Sequence, residues 1–311
     1  MDFRKIIGFG KSSFVVSLPK SWTNRNKLTK GDVVYLLEED QKLILSAKEK
    51  AFVKEPKRIT IRTDSKSTEK LQAEIIAAYL SNYDVFEIKG INLKDNSPEI
   101  KKIIQNLAGI ELLEQDSSKI IARDLMDTRE ISIQAIIRRI DIIIRSMIKD
   151  ATSSIHEDFY ESIFHRDADV NRLVFLVKRV IKSAFTDQNI AKKLGRSNLE
   201  LLKDWNVVSL LESVGDEIKR IAREFKQATG KQVKELKKIN DELGMQYFLL
   251  MKAYHTKKLE TAYDVELGHD KRIEALEQIE KKTKDYSTGK LINHMKTLEA
   301  NLKNMARAIV S

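Results

Sequence analysis

The chain has 311 residues, a formal net charge of +10, three prolines and no cysteine. The missing cysteine excludes disulfides, zinc–thiolate sites and thiol catalysis. Charged residues at 33% and hydrophobic residues at 42% fit a helix-rich globular protein of two or three domains, and the basic excess favours an anionic partner. The start, Met1-Asp2-Phe3-Arg4-Lys5, has no apolar run, so no secretory signal is expected. The longest apolar stretch, Ile131 to Ile148, is broken by Arg138, Arg139, Asp141 and Arg145. It is therefore not expected to insert in a membrane, and a cytoplasmic location is expected.

Residues 1–50 form a first module. Residues 1–31 hold seven Lys/Arg (Arg4, Lys5, Lys11, Lys20, Arg25, Lys27, Lys30) against the single acid Asp2, a local charge of +6. Strands are predicted at Phe14–Leu18, Asp32–Leu37 and Leu43–Leu45, with a hairpin turn over Glu38–Lys42 and a glycine turn at Gly31. So small a module buries little core alone, and pairing with a second copy is expected. Charge runs are usually solvated surface. Here the acids are unequally placed, with one in the first 31 residues and five in Asp32–Glu49.

A charged linker, Glu49 to Pro56, leads to a second module at residues 57–125. Its pattern is strand Arg58–Thr63, helix Ser67–Leu80, strand Asp84–Ile88, helix Pro98–Leu107, then strands Ile110–Leu113 and Lys119–Ala122. Ser97-Pro98-Glu99 reads as a helix start, because Ser caps, Pro suits the first turn and Glu complements the dipole. The order β-α-β-α-β-β defines a small α/β connector with no glycine-rich phosphate loop.

From 127 to 311 the apolar period is helical. Six helices are predicted. Ile131–Ile148 reads as apolar almost all round and buried. Two follow as stripes, Val170 to Ala184 and Val207 to Phe225, and the last three are Val233–Lys257, Leu259–Lys282 and Leu291–Val310. Two groups of three make an internal duplication plausible.

Acidic pairs spaced for one helix face occur here. Glu212 and Asp216 flank the stripe of Leu211, Val214 and Ile218, Asp167 and Asn171 repeat the spacing, and Glu266 and Asp270 do so more weakly. Such pairs can hold a hard cation or iron. Equally, Asp216 has Lys219 and Arg220 three and four residues on, as in an ordinary ion-pair ladder. The five histidines are scattered and read as surface or interface residues.

Two stretches resemble known families. Leu18-Pro19-Lys20-Ser21-Trp22, followed by Lys30-Gly31-Asp32 and a hydrophobic strand, resembles the AbrB/MazE/SpoVT swapped-hairpin DNA-binding domain over about residues 3–47. The resemblance implies an interleaved homodimer, with DNA contacts from Arg4, Lys5, Lys11, Lys20 and Arg25. Asp167-Ala168-Asp169-Val170-Asn171 and Leu211-Glu212-Ser213-Val214-Gly215-Asp216 resemble the signatures of the PhoU family, a tandem three-helix bundle involved in regulating phosphate uptake. That resemblance covers about residues 127–311 and implies divalent or iron ions at Glu212, Asp216, Asp167 and Asn171. In the second half, Leu298-Glu299-Ala300-Asn301-Leu302-Lys303 places Lys where the family has Asp.

The expected fold is therefore multidomain and mainly α: a small swapped-hairpin β module, an α/β connector and a PhoU-like six-helix region. The expected function is a DNA-binding regulator of phosphate uptake whose helical body senses a metal or partner. The alternative is an adaptor that dimerises through its N-terminus and docks on a phosphate transporter ATPase or a sensor kinase. No helical Glu-x-x-His pair, nucleophile elbow or phosphate loop is present, so no enzyme is expected.

Overall fold

The computed structural model describes residues 3–39, 42–48, 55–91, 93–127, 130–153, 159–228 and 231–311. The chain divides into two compact units, residues 1–56 and 57–311. The hairpin tip at Asp40-Gln41 and most of the linker at 49–54 lie outside the described residues.

In the first unit β1 (Ile7–Phe9) pairs antiparallel with β2 (Ser13–Val15), and β3 (Tyr35–Glu39) with β4 (Lys42–Ser46). The two hairpins are separate two-stranded sheets. Between them lies α1 (Lys20–Arg25), which starts directly after Pro19. The sequence reading missed β1 and α1, both short, and placed β2 one residue late and ending three residues too far on. Two glycines turn the chain through positive φ, Gly10 at +70° between β1 and β2 and Gly31 at +99° before β3.

The second unit opens with the α/β connector: β5 (Arg58–Arg62), α2 (Thr68–Leu80), β6 (Val85–Lys89), α3 (Leu93–Gln105), β7 (Ile110–Gln115) and β8 (Lys119–Asp124). This is the predicted order. The sheet runs β5-β6-β8-β7, with β5 and β6 parallel and the other pairs antiparallel. Ile61, Ile75, Phe86, Ile88, Ile100 and Ile120 fill its core. Ser67, placed inside the predicted helix, is the N-cap of α2 and accepts from Lys70 N at 3.4 Å. Ser97 does not cap α3. The helix begins at Leu93, so Ser97 and Pro98 lie inside it. Pro98 cannot donate to the carbonyl one turn back, but burial of Leu93 anchors the added turn.

The remainder is helical: α4 (Ile133–Ser153), α5 (Tyr160–Thr186), α6 (Gln188–Lys193), α7 (Asn198–Phe225), α8 (Val233–Thr256), α9 (Glu260–Leu267), α10 (His269–Glu280) and α11 (Tyr286–Val310). α4, α5 and α7 pack together, α8, α9 and α10 pack on α11, and α7–α11 and α4–α8 contacts join the groups around one apolar core. Three expectations need correction. α4 is one-sided: Ile137, Ile140 and Ile144 are buried while Ile142 is exposed. The helix predicted over Leu259–Lys282 breaks at Gly268 into α9 and α10. The last helix, predicted from Leu291, begins five residues earlier at Tyr286, capped by Asp285. No helix among the described residues is long and apolar enough to cross a membrane.

Candidate nucleic-acid interface and carboxylate sites

None of the described residues from Phe3 to Pro56 is buried. The exposure is apolar as well as basic: Phe9 is 71% accessible, Phe14 80%, and Ile7, Val33, Leu36 and Leu43 all exceed half. In the register Gly8 stands opposite Phe14, so Phe9 and Phe14 project from opposite faces of the β1–β2 ribbon. An isolated two-stranded hairpin is marginal in water. Two such hairpins with bare apolar side chains are incomplete as a core.

Onto this scaffold the chain hangs its cations. Arg4 and Lys5 precede β1, Lys11 sits in the β1–β2 turn, and Lys20 and Arg25 open and close α1; all five are exposed. The loop before β3 is shaped by Asp32, whose Oδ2 accepts from Thr29 N at 2.6 Å and Thr29 Oγ1 at 3.0 Å. Those hydrogen bonds hold its carboxyl below the ordinary aspartate value. Asp32 is thus tied to Thr29 within the loop, while Lys27 and Lys30 are exposed beside it.

The carboxylates on the helices are differently arranged. Asp167 on α5 and Asp216 on α7 are brought together, but on one ammonium: Lys219 Nζ donates to Asp167 Oδ2 at 2.5 Å and to Asp216 Oδ1 at 2.7 Å. Burial pushes the Asp167 carboxyl above its ordinary value against the pull of Lys219. Burial also pushes the Lys219 ammonium down, yet its two carboxylates outweigh this and hold it above its ordinary value. The short double contact on a single Nζ fits the ionised form.

Glu212 is turned away to Lys178 Nζ at 2.8 Å, and Asn171 Oδ1 and Asp167 Oδ1 are buried without a donor. Glu266 and Asp270 do not share a face, because Gly268 separates their helices. Glu266 accepts from Arg307 Nε at 2.6 Å, and Asp270 lies exposed, 4.0 Å from Lys303.

Among the described residues no group of three or more His, Asp or Glu side chains is placed to hold a metal ion. The donor set expected for one is engaged by lysines, so as arranged it does not fit a cation. The sequence also read past several charges. Glu299, fully buried, faces His269 Nδ1 at 3.2 Å and Arg272 Nε at 2.8 Å. Glu217 faces His294 Nδ1 at 2.8 Å, and His255 stands 3.5 Å from Asp141. Three of the scattered histidines therefore sit beside buried carboxylates. The only hint in the sequence was an acid on the apolar stripe.

One buried cation ties the connector to the helices. Arg179 on α5 donates to the Tyr79 carbonyl, to the Tyr83 carbonyl at 3.0 Å and to Asp124 Oδ2 at 2.5 Å. Its guanidinium lies 4.6 Å from the Tyr79 ring centre. Tyr79 in turn donates its hydroxyl to the Ala108 carbonyl at 2.9 Å, and burial raises its pKa.

Two hairpins with exposed apolar residues flank a short helix in a module that buries none of its described residues. In comparison with known proteins, residues 9–63 match the family described as antidote-toxin recognition MazE, bacterial antitoxin. The match begins at the end of β1, spans β2 to β5 and does not extend to the helical region. No curated protein and no solved structure matches the chain.

Proposed function

We propose that the chain is a DNA-binding regulator whose first module closes its core with a second copy and presents paired clusters of Arg4, Lys5, Lys11, Lys20 and Arg25 to the phosphate backbone. The observation that carries this reading is a module with no buried residue among those described, exposed apolar residues and an acid-poor first 31 residues. Doubling by symmetry covers the apolar surface and doubles the charge. The MazE match supports both halves of the reading. The helical body is the responsive part, and the resemblance of residues 127–311 to phosphate-uptake regulators supports control of that process. No catalytic role is assigned.

Binding of the full chain to a duplex from its own upstream region, titrated with salt, tests the proposal. Each phosphate neutralised contributes a slope of about −0.9 in log K against log salt. Arg4→Ala, Lys5→Ala and Lys11→Ala combined should flatten that slope and weaken binding at every salt concentration. Dimerisation without DNA affinity at low salt would replace this reading with the adaptor one.

A further inference from the structure

A cavity of about 340 Å³ opens at one end of the helical region, where the first turns of α4 and α7 meet the ends of α8 and α11. At about 30 Å³ per water it has room for roughly ten of them, which is within the range of small-molecule sites. Leu199, Ala253 and Leu259 give it apolar walls. Its charged side chains are Arg138, Arg196, Lys203 and Lys257 against Glu200 and Asp204.

Some of these are already engaged. Lys203 Nζ donates to the Ile309 carbonyl at 2.9 Å, and Glu200 accepts from Ser197 N at 3.0 Å and from Arg196 Nη1 at 3.3 Å. Arg138 is exposed at the rim, and Lys257 stands 3.8 Å from Glu200. Asp204 is different. It is 2% accessible, and its Oδ1 accepts from the Tyr254 hydroxyl at 2.5 Å. Its Oδ2 is buried with no hydrogen-bond partner, and Arg196 Nε at 3.6 Å is too far to supply one. A buried carboxylate oxygen without a donor is costly to keep. Asp204 is one of the residues that line the cavity.

We propose that this cavity binds a small organic anion that also bears a hydroxyl or amino group. The donor group satisfies Asp204 Oδ2, the anionic group lies between Arg138 and Lys257, and the carbon body packs on Leu199 and Leu259. No catalysis is involved, and the site is independent of the N-terminal module. Cations at the rim with one acceptor at the base select against a bare inorganic anion, which would meet Asp204 with like charge.

Calorimetric titration of the full chain with AMP, glucose 6-phosphate and citrate, with sodium sulfate beside them, tests it. At least one of the three should bind saturably where sulfate does not. Arg138→Ala should weaken that binding by about tenfold or more, the loss expected of a charge-assisted contact. Leu259→Trp, which fills the cavity and leaves its charges in place, should abolish it. Asp204→Asn, checked for intact helicity, should weaken it similarly. The proposal is overturned if none of the three binds, if sulfate binds as well as they do, or if both Arg138→Ala and Leu259→Trp leave binding unchanged.

Discussion

The two units of this chain solve burial in opposite ways. From residue 57 onward, apolar side chains find partners within the chain, and Ile75, Ile137, Val177 and Leu302 are fully enclosed. From Phe3 to Pro56 none of the described residues does so, although the segment carries Phe9, Phe14, Leu36 and Ile44. The contrast is one of size and topology. Three or more strands, or a helix laid across a hairpin, are needed before a small β unit stands alone. This unit offers two strands at a time. Where a chain cannot close its own core, a second copy is the economical completion.

The sharpest way to break this contrast is to remove the surface that the first unit leaves bare. Phe9 and Phe14 point from opposite faces of one hairpin, so Phe9→Ser with Phe14→Ser strips both. Burying such a side chain contributes about 1.5–3 kcal/mol, and a dimer carries each twice. Sedimentation equilibrium should show the dimer dissociation constant rising by roughly ten-thousandfold or more, while the melting of the helical unit stays in place.

The second unit should be broken at its internal tie. Arg179→Ala strips Asp124 of its cation and removes a donor from the Tyr79 and Tyr83 carbonyls, of which Tyr79 keeps Asn82 N at 3.1 Å. Losing one member of a buried pair costs about 3–5 kcal/mol, read as a lower denaturant midpoint with the dimer constant unmoved.

A smaller loss is expected at the carboxylate pair. Lys219→Ala leaves Asp167 without a donor on either oxygen and should cost about 2 kcal/mol at neutral pH. Because burial already raises the Asp167 pKa, the uncompensated carboxyl takes up a proton on acidification. The deficit relative to wild type should therefore shrink towards pH 4, a value near the ordinary aspartate pKa. A deficit that stays constant with pH would mean Asp167 is not the group left uncompensated.

The smallest effect is at His255. Burial lowers its pKa, and Asp141 only partly offsets this. As pH falls through about 6.5, the unfolded chain binds the proton first and folding loses stability, until the folded pKa is passed. Denaturation of wild type and His255→Gln at about pH 7.5 and about pH 5.5 should show the steeper fall in wild type.

Much of this architecture was legible in the sequence because it is periodic. The apolar stripes on α5 and α7 and the strand–helix alternation of residues 57–125 mark their elements directly. What escaped depends on partners distant in the chain. Leu93 pulls α3 past Pro98 because a sheet lies beneath it. Arg179 looks like any helical arginine until Asp124 and Tyr79 meet it. The pairing of Asp167 with Asp216 follows from two helices packing, but spacing alone could not say that Lys219 would stand between them. Spacing also misled at Glu266 and Asp270, where a glycine break ends the helix that the i,i+4 argument needs. In the first unit the sequence was informative for the opposite reason: an incomplete core left its apolar and basic residues plainly excessive for so short a segment.

Hydrogen exchange of the backbone amides of β1 to β4 in the full chain, followed across protein concentration, tests the central claim most directly. If a second copy completes the first unit, those amides are protected, and their protection grows with concentration while that of α5 and α7 does not. Protection of β1 to β4 that is independent of concentration in a chain of monomeric mass would contradict it.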